Sequence, residues 1–267
     1  DHPELVEIAR ALMKEFKAKG VSISLPSLRA KNIVGELSSV LASMRKTSLT
    51  FAPEAGSERL RRLIKKDIDI RELFSVAGAA YQAGYRLLKL YFMIGLPTET
   101  EQDLIEIRDL CVKLSRLKKE YGAHPAKLNV TISNFIPKSH TPFQWQGMDS
   151  MDQLLEKQNS LRDLFRPSRG LIRLKFHKRE ASFLEGVLAR GDRRLSQVIL
   201  FAFEAGAKFD AWDELFNFSL WMEAFAKAAI DPNDYLKPKR YSSVLCWDFI
   251  DIGIPKESLI KESQSAF

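Results

Sequence analysis

Cysteine is almost missing from this chain: its 267 residues include two, Cys111 and Cys246. Two thiols cannot build a disulfide scaffold. Long apolar runs are missing too. No stretch approaches the roughly 20 residues that a membrane-spanning helix needs. A basic leader followed by an apolar segment is lacking after Asp1-His2-Pro3, so no signal peptide is legible. Nor is there an initiator Met, and the chain runs straight into a helix pattern. This start predicts a fragment of a longer protein, and the compartment expected is the reducing cytoplasm. Gly/Ser linkers, low-complexity segments and solenoid-length repeats are also lacking. The parts of the chain are therefore expected to pack on one another.

What is present is globular. Hydrophobic residues make up 45% and charged residues 28%, the mix of a domain that buries a sizeable core. Lys and Arg total 41 against 34 Asp and Glu, a formal net charge of +7. A basic balance suits polyanionic partners such as nucleic acid. The basic residues are scattered, however, and a solvated basic surface is the simpler reading. The densest patches are Arg59-Arg61-Arg62-Lys65-Lys66, Lys118-Lys119 and Arg190-Arg193-Arg194.

The first half alternates between two periods. Apolar residues Leu5, Ile8, Leu12 and Phe16 recur at helical spacing between Pro3 and Lys19. Val21 to Leu25 reads as a strand and Ile33 to Met44 as a helix. Thr47 to Ala52 is a strand, and Glu58 to Ile64 and Arg71 to Ala83 are helices. Arg86 to Ile94 is a strand, Glu101 to Glu120 a long helix with Thr100 as its N-cap, and Lys127 to Phe135 a strand. This order predicts α/β architecture: βα units around a parallel sheet. The second half loses the alternation. Helices are expected over Leu154 to Phe165, Phe183 to Ala189, Arg193 to Ala205 and Trp212 to Ala228. Leu171 to His177 offers one more strand, and the tail from Pro232 reads as irregular. A soft boundary falls near Gln146, giving segments 1–146 and 147–267.

In parallel α/β sheets, ligands gather at the carboxyl ends of the strands. The post-strand segments are therefore the informative ones. Pro53-Glu54-Ala55-Gly56-Ser57 sets a carboxylate directly after a strand, then a glycine and an N-cap serine. Glu54 suits hydrogen bonds from ribose hydroxyls or an ammonium group, or else caps the helix with Ser57 while Glu58 flanks it. Gly95-Leu96-Pro97 is a sharp turn whose glycine admits close approach of a ligand.

These segments carry a resemblance. Thr50-Phe51-Ala52-Pro53-Glu54-Ala55-Gly56-Ser57, together with Tyr91-Phe92-Met93-Ile94-Gly95-Leu96-Pro97-Thr98-Glu99-Thr100, resembles the fourth- and fifth-strand motifs of radical S-adenosylmethionine (SAM) enzymes. The likeness extends to the branch with B12-binding domains through Ser22 to Arg29, Phe135 to Trp145, Glu185 to Arg194, Phe209 to Glu214 and Trp247 to Gly253. It implies a partial (βα) barrel of TIM-like type, here about four βα units, followed by a mostly helical C-terminal extension packed on it. It also implies SAM and a [4Fe-4S] cluster held by the thiolates of a CxxxCxxC loop, soft anionic ligands suited to iron. Electron transfer to SAM then gives a 5′-deoxyadenosyl radical that acts on substrate. Cobalamin, through an upstream domain, and an electron donor such as flavodoxin or ferredoxin belong to the same implication.

The departure is equally plain. No CxxxCxxC is present, and two cysteines cannot supply three thiolates. The chain is expected to begin inside the barrel, beyond the cluster loop, and to be inactive alone. The resemblance gives roles to individual residues. Glu54 would approach the SAM ribose or methionine moiety, Ser57 would cap the next helix, and Lys66 would face the SAM carboxylate or else be a solvated lysine. Ser24 and Arg29 would face cofactor or substrate. Gly95, Leu96 and Pro97 would lie near adenine, as would Asn134 and Ile136. Lys138, His140 and Gln144 are candidates for the substrate side. RNA is one substrate or partner class in view, and a non-catalytic RNA-binding module or a degenerate scaffold is the rival to an enzyme.

Other residues read more plainly. Cys111 falls mid-helix and reads as core. Arg190, Asp192, Arg193 and Arg194 read as an ion-paired loop. Phe201, Phe203, Phe216, Phe218, Trp221 and Phe225 read as core at helical spacing. Asp210, Trp212, Asp213 and Glu214 read as helix-capping residues.

Overall fold

The computed structural model describes residues 4–16, 19, 21, 48–66 and 68–266. All but Val21 of the strand expected over Val21 to Leu25, and the helix over Ile33 to Met44, therefore lie outside the described residues, as do Ser24 and Arg29. The residues group into two compact units. One comprises 1–94, 99–133 and 158–176, and the other 95–98, 134–157 and 177–267.

The first unit holds a four-stranded parallel sheet in the order β1 (Leu49–Glu54), β2 (Leu87–Ile94), β3 (Lys127–Asn134), β4 (Ile172–Phe176). Its strands are apolar on alternate positions because side chains point to opposite faces. In β2 the buried set is Leu88, Leu90, Phe92 and Ile94. Helices α2 (Glu58–Leu63) and α3 (Ile70–Gln82) connect β1 to β2, α4 (Glu101–Leu117) connects β2 to β3, and α1 (Leu5–Phe16) precedes β1. The buried stripe of α4 is Leu104, Ile107, Cys111 and Leu114, at spacings of three and four. Tyr81 of α3 buries its ring and donates its hydroxyl to the carbonyl of Leu114 at 2.9 Å. Each large apolar side chain so buried contributes about 1.5–3 kcal/mol. The segment 171–177, offered as one more strand, is β4, paired in parallel with β3.

The second unit is helical. It contains α6 (Arg179–Arg190), α7 (Leu195–Glu204), α8 (Phe218–Lys227), α9 (Asn233–Leu236) and α10 (Lys256–Ala266). The helix α5 (Met151–Leu164) runs from this unit into the first. Phe183, Val187, Val198, Ala202, Trp221 and Phe225 form its main core. Trp145, Leu245, Trp247 and Leu259 form a second cluster.

Three expectations for this half need correction. The helix expected from Trp212 starts instead at Phe218, because the Asn217 side chain accepts from the Leu220 N–H and caps it. Trp212 and Asp213 thus lie in turns rather than at a helix cap. The tail is not irregular throughout, since α9 and α10 lie in it. Phe203 is not core: it is 71% exposed, while Trp221 and Phe225 are buried as expected. Among the described residues no helix is long and apolar enough to cross a membrane.

Candidate functional site

The first unit presents its chemistry where β1 ends. Pro53 cannot donate a ladder hydrogen bond, and the pairing of β1 with β2 shifts register between Phe51 and Glu54. Glu54 then adopts φ 67°, a left-handed conformation that costs a non-glycine residue about 1 kcal/mol or more. The turn re-aims the Glu54 carboxylate, and Lys66 Nζ lies 3.3 Å from its Oε1. Both side chains keep partial exposure, 26% for Glu54 and 39% for Lys66. The two residues that sequence reasoning assigned to the same ligand therefore form a pair.

Gly56 follows against the backbone of α4. A Cβ on it would stand 2.2 Å from the Ile107 nitrogen, so only glycine fits. Ser57 is the N-cap of α2, accepting from the Leu60 N–H at 3.3 Å. Its hydroxyl also donates to Asp103 Oδ1 at 2.5 Å. Asp103 is itself the third residue of α4 and reaches back to the N–H and hydroxyl of Thr100, both at 2.7 Å. Arg59 adds an ion pair to Oδ2, the same oxygen that accepts from Thr100. Burial alone would raise the Asp103 carboxyl. The hydrogen bonds from Ser57 and Thr100, with that from Arg59, outweigh it and hold the group below its ordinary value. Arg61 is buried and donates to the carbonyls of Ala55 and Gly56. Burial lowers its pKa.

Sequence reasoning missed Arg59, Arg61 and Asp103. The signal for Asp103 was present, a carboxylate three residues after the N-cap Thr100. Arg61 carried no such signal, because a helical arginine reads as solvated.

The second unit holds the remaining candidates. Gly95 has φ +81°, which permits the turn after β2. Leu96 is buried beside it. Asn134 is buried, donates from Nδ2 to Ser182 Oγ at 2.9 Å, and among the described residues its Oδ1 has no hydrogen-bond partner. Ile136 packs 3.7 Å from the position a Cβ would take on Gly186. Lys138 is exposed and pairs with Glu185. His140 has φ 55° and donates its N–H to Gln144 Oε1 at 3.1 Å. That same oxygen accepts from Trp247 Nε1 at 2.6 Å, so the buried Gln144 is committed to structure. Arg190 is wholly buried and donates to three carbonyls: Tyr235 at 2.7 Å, Gln144 at 3.2 Å and Lys237 at 3.0 Å. It is not part of an ion-paired loop, whereas Asp192 and Arg194 are paired as expected.

Metal ligation is a different matter. Cys111 is fully buried in α4, and burial pushes its thiol well above its ordinary value. Cys246 is exposed. Among the described residues no group of three His, Cys, Asp or Glu side chains can hold a metal ion. The residues present do not fit a [4Fe-4S] cluster.

Comparison with known proteins agrees with the strand-end pattern. The chain is 35% identical over 199 residues to an uncharacterised protein of Methanocaldococcus jannaschii, a match covering 74% of this chain. The chain spans about two fifths of that relative, 41% of its length. The family model of the Radical SAM superfamily matches residues 1–111. The N-terminal part of the chain, with β1, β2 and their post-strand turns, is thus the part similar to the radical SAM superfamily.

Proposed function

We propose that this chain is part of a radical SAM enzyme and carries protein contacts to SAM but not the ligands of the iron–sulfur cluster. The observation that carries the reading is the Glu54–Lys66 pair at the carboxyl end of β1. SAM has an ammonium group, a carboxylate and ribose hydroxyls. A carboxylate acceptor and an ammonium donor, 3.3 Å apart and both partly exposed, match that set of groups. Glu54 would accept from the ribose or amino group, and Lys66 would meet the carboxylate.

A cluster would supply the electron that cleaves SAM, and its thiolates would come from outside these 267 residues. The substrate class proposed is RNA, on the basic balance of the chain, and the compartment proposed is the cytoplasm. The rival reading is an RNA-binding scaffold without catalysis.

Titration of this chain with SAM tests the site directly. Binding weakened about tenfold or more by Glu54→Gln and by Lys66→Met is the result expected, with Lys138→Ala neutral. No heat of SAM binding to the folded chain overturns the reading. Extension upstream to include a CxxxCxxC segment, anaerobic reconstitution and assay of 5′-deoxyadenosine under reductant then separates enzyme from scaffold.

A further inference from the structure

The first unit carries a second feature, at the edge of its sheet. β4 is the last strand in the order, and between it and the C-terminal half of α5 lies a cavity of about 380 Å³. That volume is within the range of about 300–1,000 Å³ found for small-molecule sites. Ile172, Leu174 and Phe176 give it an apolar wall, and Arg162, Arg169 and Arg173 line it, with no carboxylate among the lining residues. The stretch from Arg162 to Lys175 carries five cations and one carboxylate, Asp163. Asp163 is engaged by Arg166, which does not line the cavity. Among the described residues Arg169 and Arg173 have no partner of opposite charge.

Arg162 is different from these two. Its guanidinium lies over the Phe176 ring, 4.7 Å from the centroid. Nη1 is held by Asn159 Oδ1 at 2.7 Å. Arg162 and Phe176, both lining the cavity, thus form a cation–π pair held in place by Asn159, beside which a second flat ring can stack. A flat π-system on Arg162 and an anion between Arg169 and Arg173 are complementary to one kind of molecule.

We infer that this cavity binds a nucleotide unit, its base stacked on Arg162 and its phosphate held by Arg169 and Arg173. The inference does not depend on the SAM reading. The unit is either a free nucleotide or one residue of a single-stranded nucleic acid, since both present the same base and phosphate.

The test uses the whole chain and calorimetric titration with adenosine 5′-monophosphate, ribose 5-phosphate and a ten-nucleotide single-stranded RNA. The nucleotide is expected to bind about tenfold or more tightly than ribose 5-phosphate, and Arg162→Ala should abolish that preference. Arg169→Ala with Arg173→Ala should weaken both ligands by about tenfold or more. Arg166→Ala and Glu54→Gln should change neither, the second keeping this site separate from the SAM site. Tighter binding of the RNA than of the mononucleotide assigns the site to a strand, and equal or weaker binding assigns it to the free nucleotide. The inference is overturned by equal affinity for nucleotide and ribose 5-phosphate, by wild-type affinity in the double variant, or by no binding at millimolar nucleotide.

Discussion

Ser57 and Asp103, separated by 46 residues, share a hydrogen bond of 2.5 Å that joins the first turn of α2 to the first turn of α4. Each residue serves its own helix as well, Ser57 as N-cap and Asp103 through Thr100. Asp103→Ala removes the acceptor of four hydrogen bonds at once and should destabilise the first unit by about 2–4 kcal/mol. Asp103→Asn keeps one acceptor and should lose less. Urea unfolding of the two variants tests the order.

The same carboxylate predicts a pH dependence. Its folded pKa is lowered, so its stabilising contribution is complete above the unfolded value of about 3.9. That contribution disappears as pH falls through the folded value. The difference in melting temperature between wild type and Asp103→Asn should therefore be large at pH 7 and shrink at low pH. A difference that stays constant down to pH 2 would contradict the role given to the charge.

Gly56 predicts a sharper effect. A Cβ there meets backbone, the Ile107 nitrogen at 2.2 Å, and backbone in a packed helix cannot swing aside as a side chain can. Gly56→Ala should cost about 3 kcal/mol or more, at or above the usual range for overpacking. Gly170→Ala, where nothing lies within 4 Å of the added carbon, is the comparison that should leave the melting temperature nearly unchanged.

The described strands and helices between Leu49 and Asn134 were legible because their periods are strong. Leu88, Leu90, Phe92 and Ile94 alternate, and Leu104, Ile107, Cys111 and Leu114 recur at helical spacing. Ser57 as a cap was legible for the same local reason. The long-range partners were not. Nothing near Asp103 in sequence points to Ser57, and Arg190 looks like any arginine at a helix end. Its burial follows from carbonyls contributed by Gln144, Tyr235 and Lys237, more than 40 residues away. Phe203 failed in the opposite direction: an apolar residue at helical spacing reads as core, although many apolar atoms stay on the surface.

Arg190 supports a prediction of its own. Three carbonyls turn toward one planar guanidinium, and among the described residues no carboxylate pairs with it. Arg190→Lys supplies donors from a single point and cannot span all three, so it should cost about 2–3 kcal/mol. Arg190→Ala should cost more, since each orphaned carbonyl costs about 1–3 kcal/mol. Burial lowers the guanidinium to about 10. Above that pH the unfolded chain holds the proton more firmly than the folded one, so this group makes stability rise with pH. Between pH 7 and 9 both states are protonated and it adds no slope. Urea titrations at pH 7 and pH 9 should thus give the same loss for Arg190→Ala.

The two cysteines can be counted in solution. Cys246 is exposed, whereas Cys111 lies inside α4 with its thiol raised by burial. Reaction with a thiol reagent proceeds through the thiolate and needs access, and Cys111 has neither at neutral pH. One thiol should react within minutes in native buffer and a second only at the rate of unfolding. Both should react at once in concentrated urea, and Cys246→Ser should abolish the fast phase. Added iron and sulfide should leave this pattern unchanged, because a fully buried thiol and a lone exposed one cannot together hold a cluster that needs three. Protection of Cys246 on reconstitution would mean that it has found ligands beyond those that Cys111 can provide.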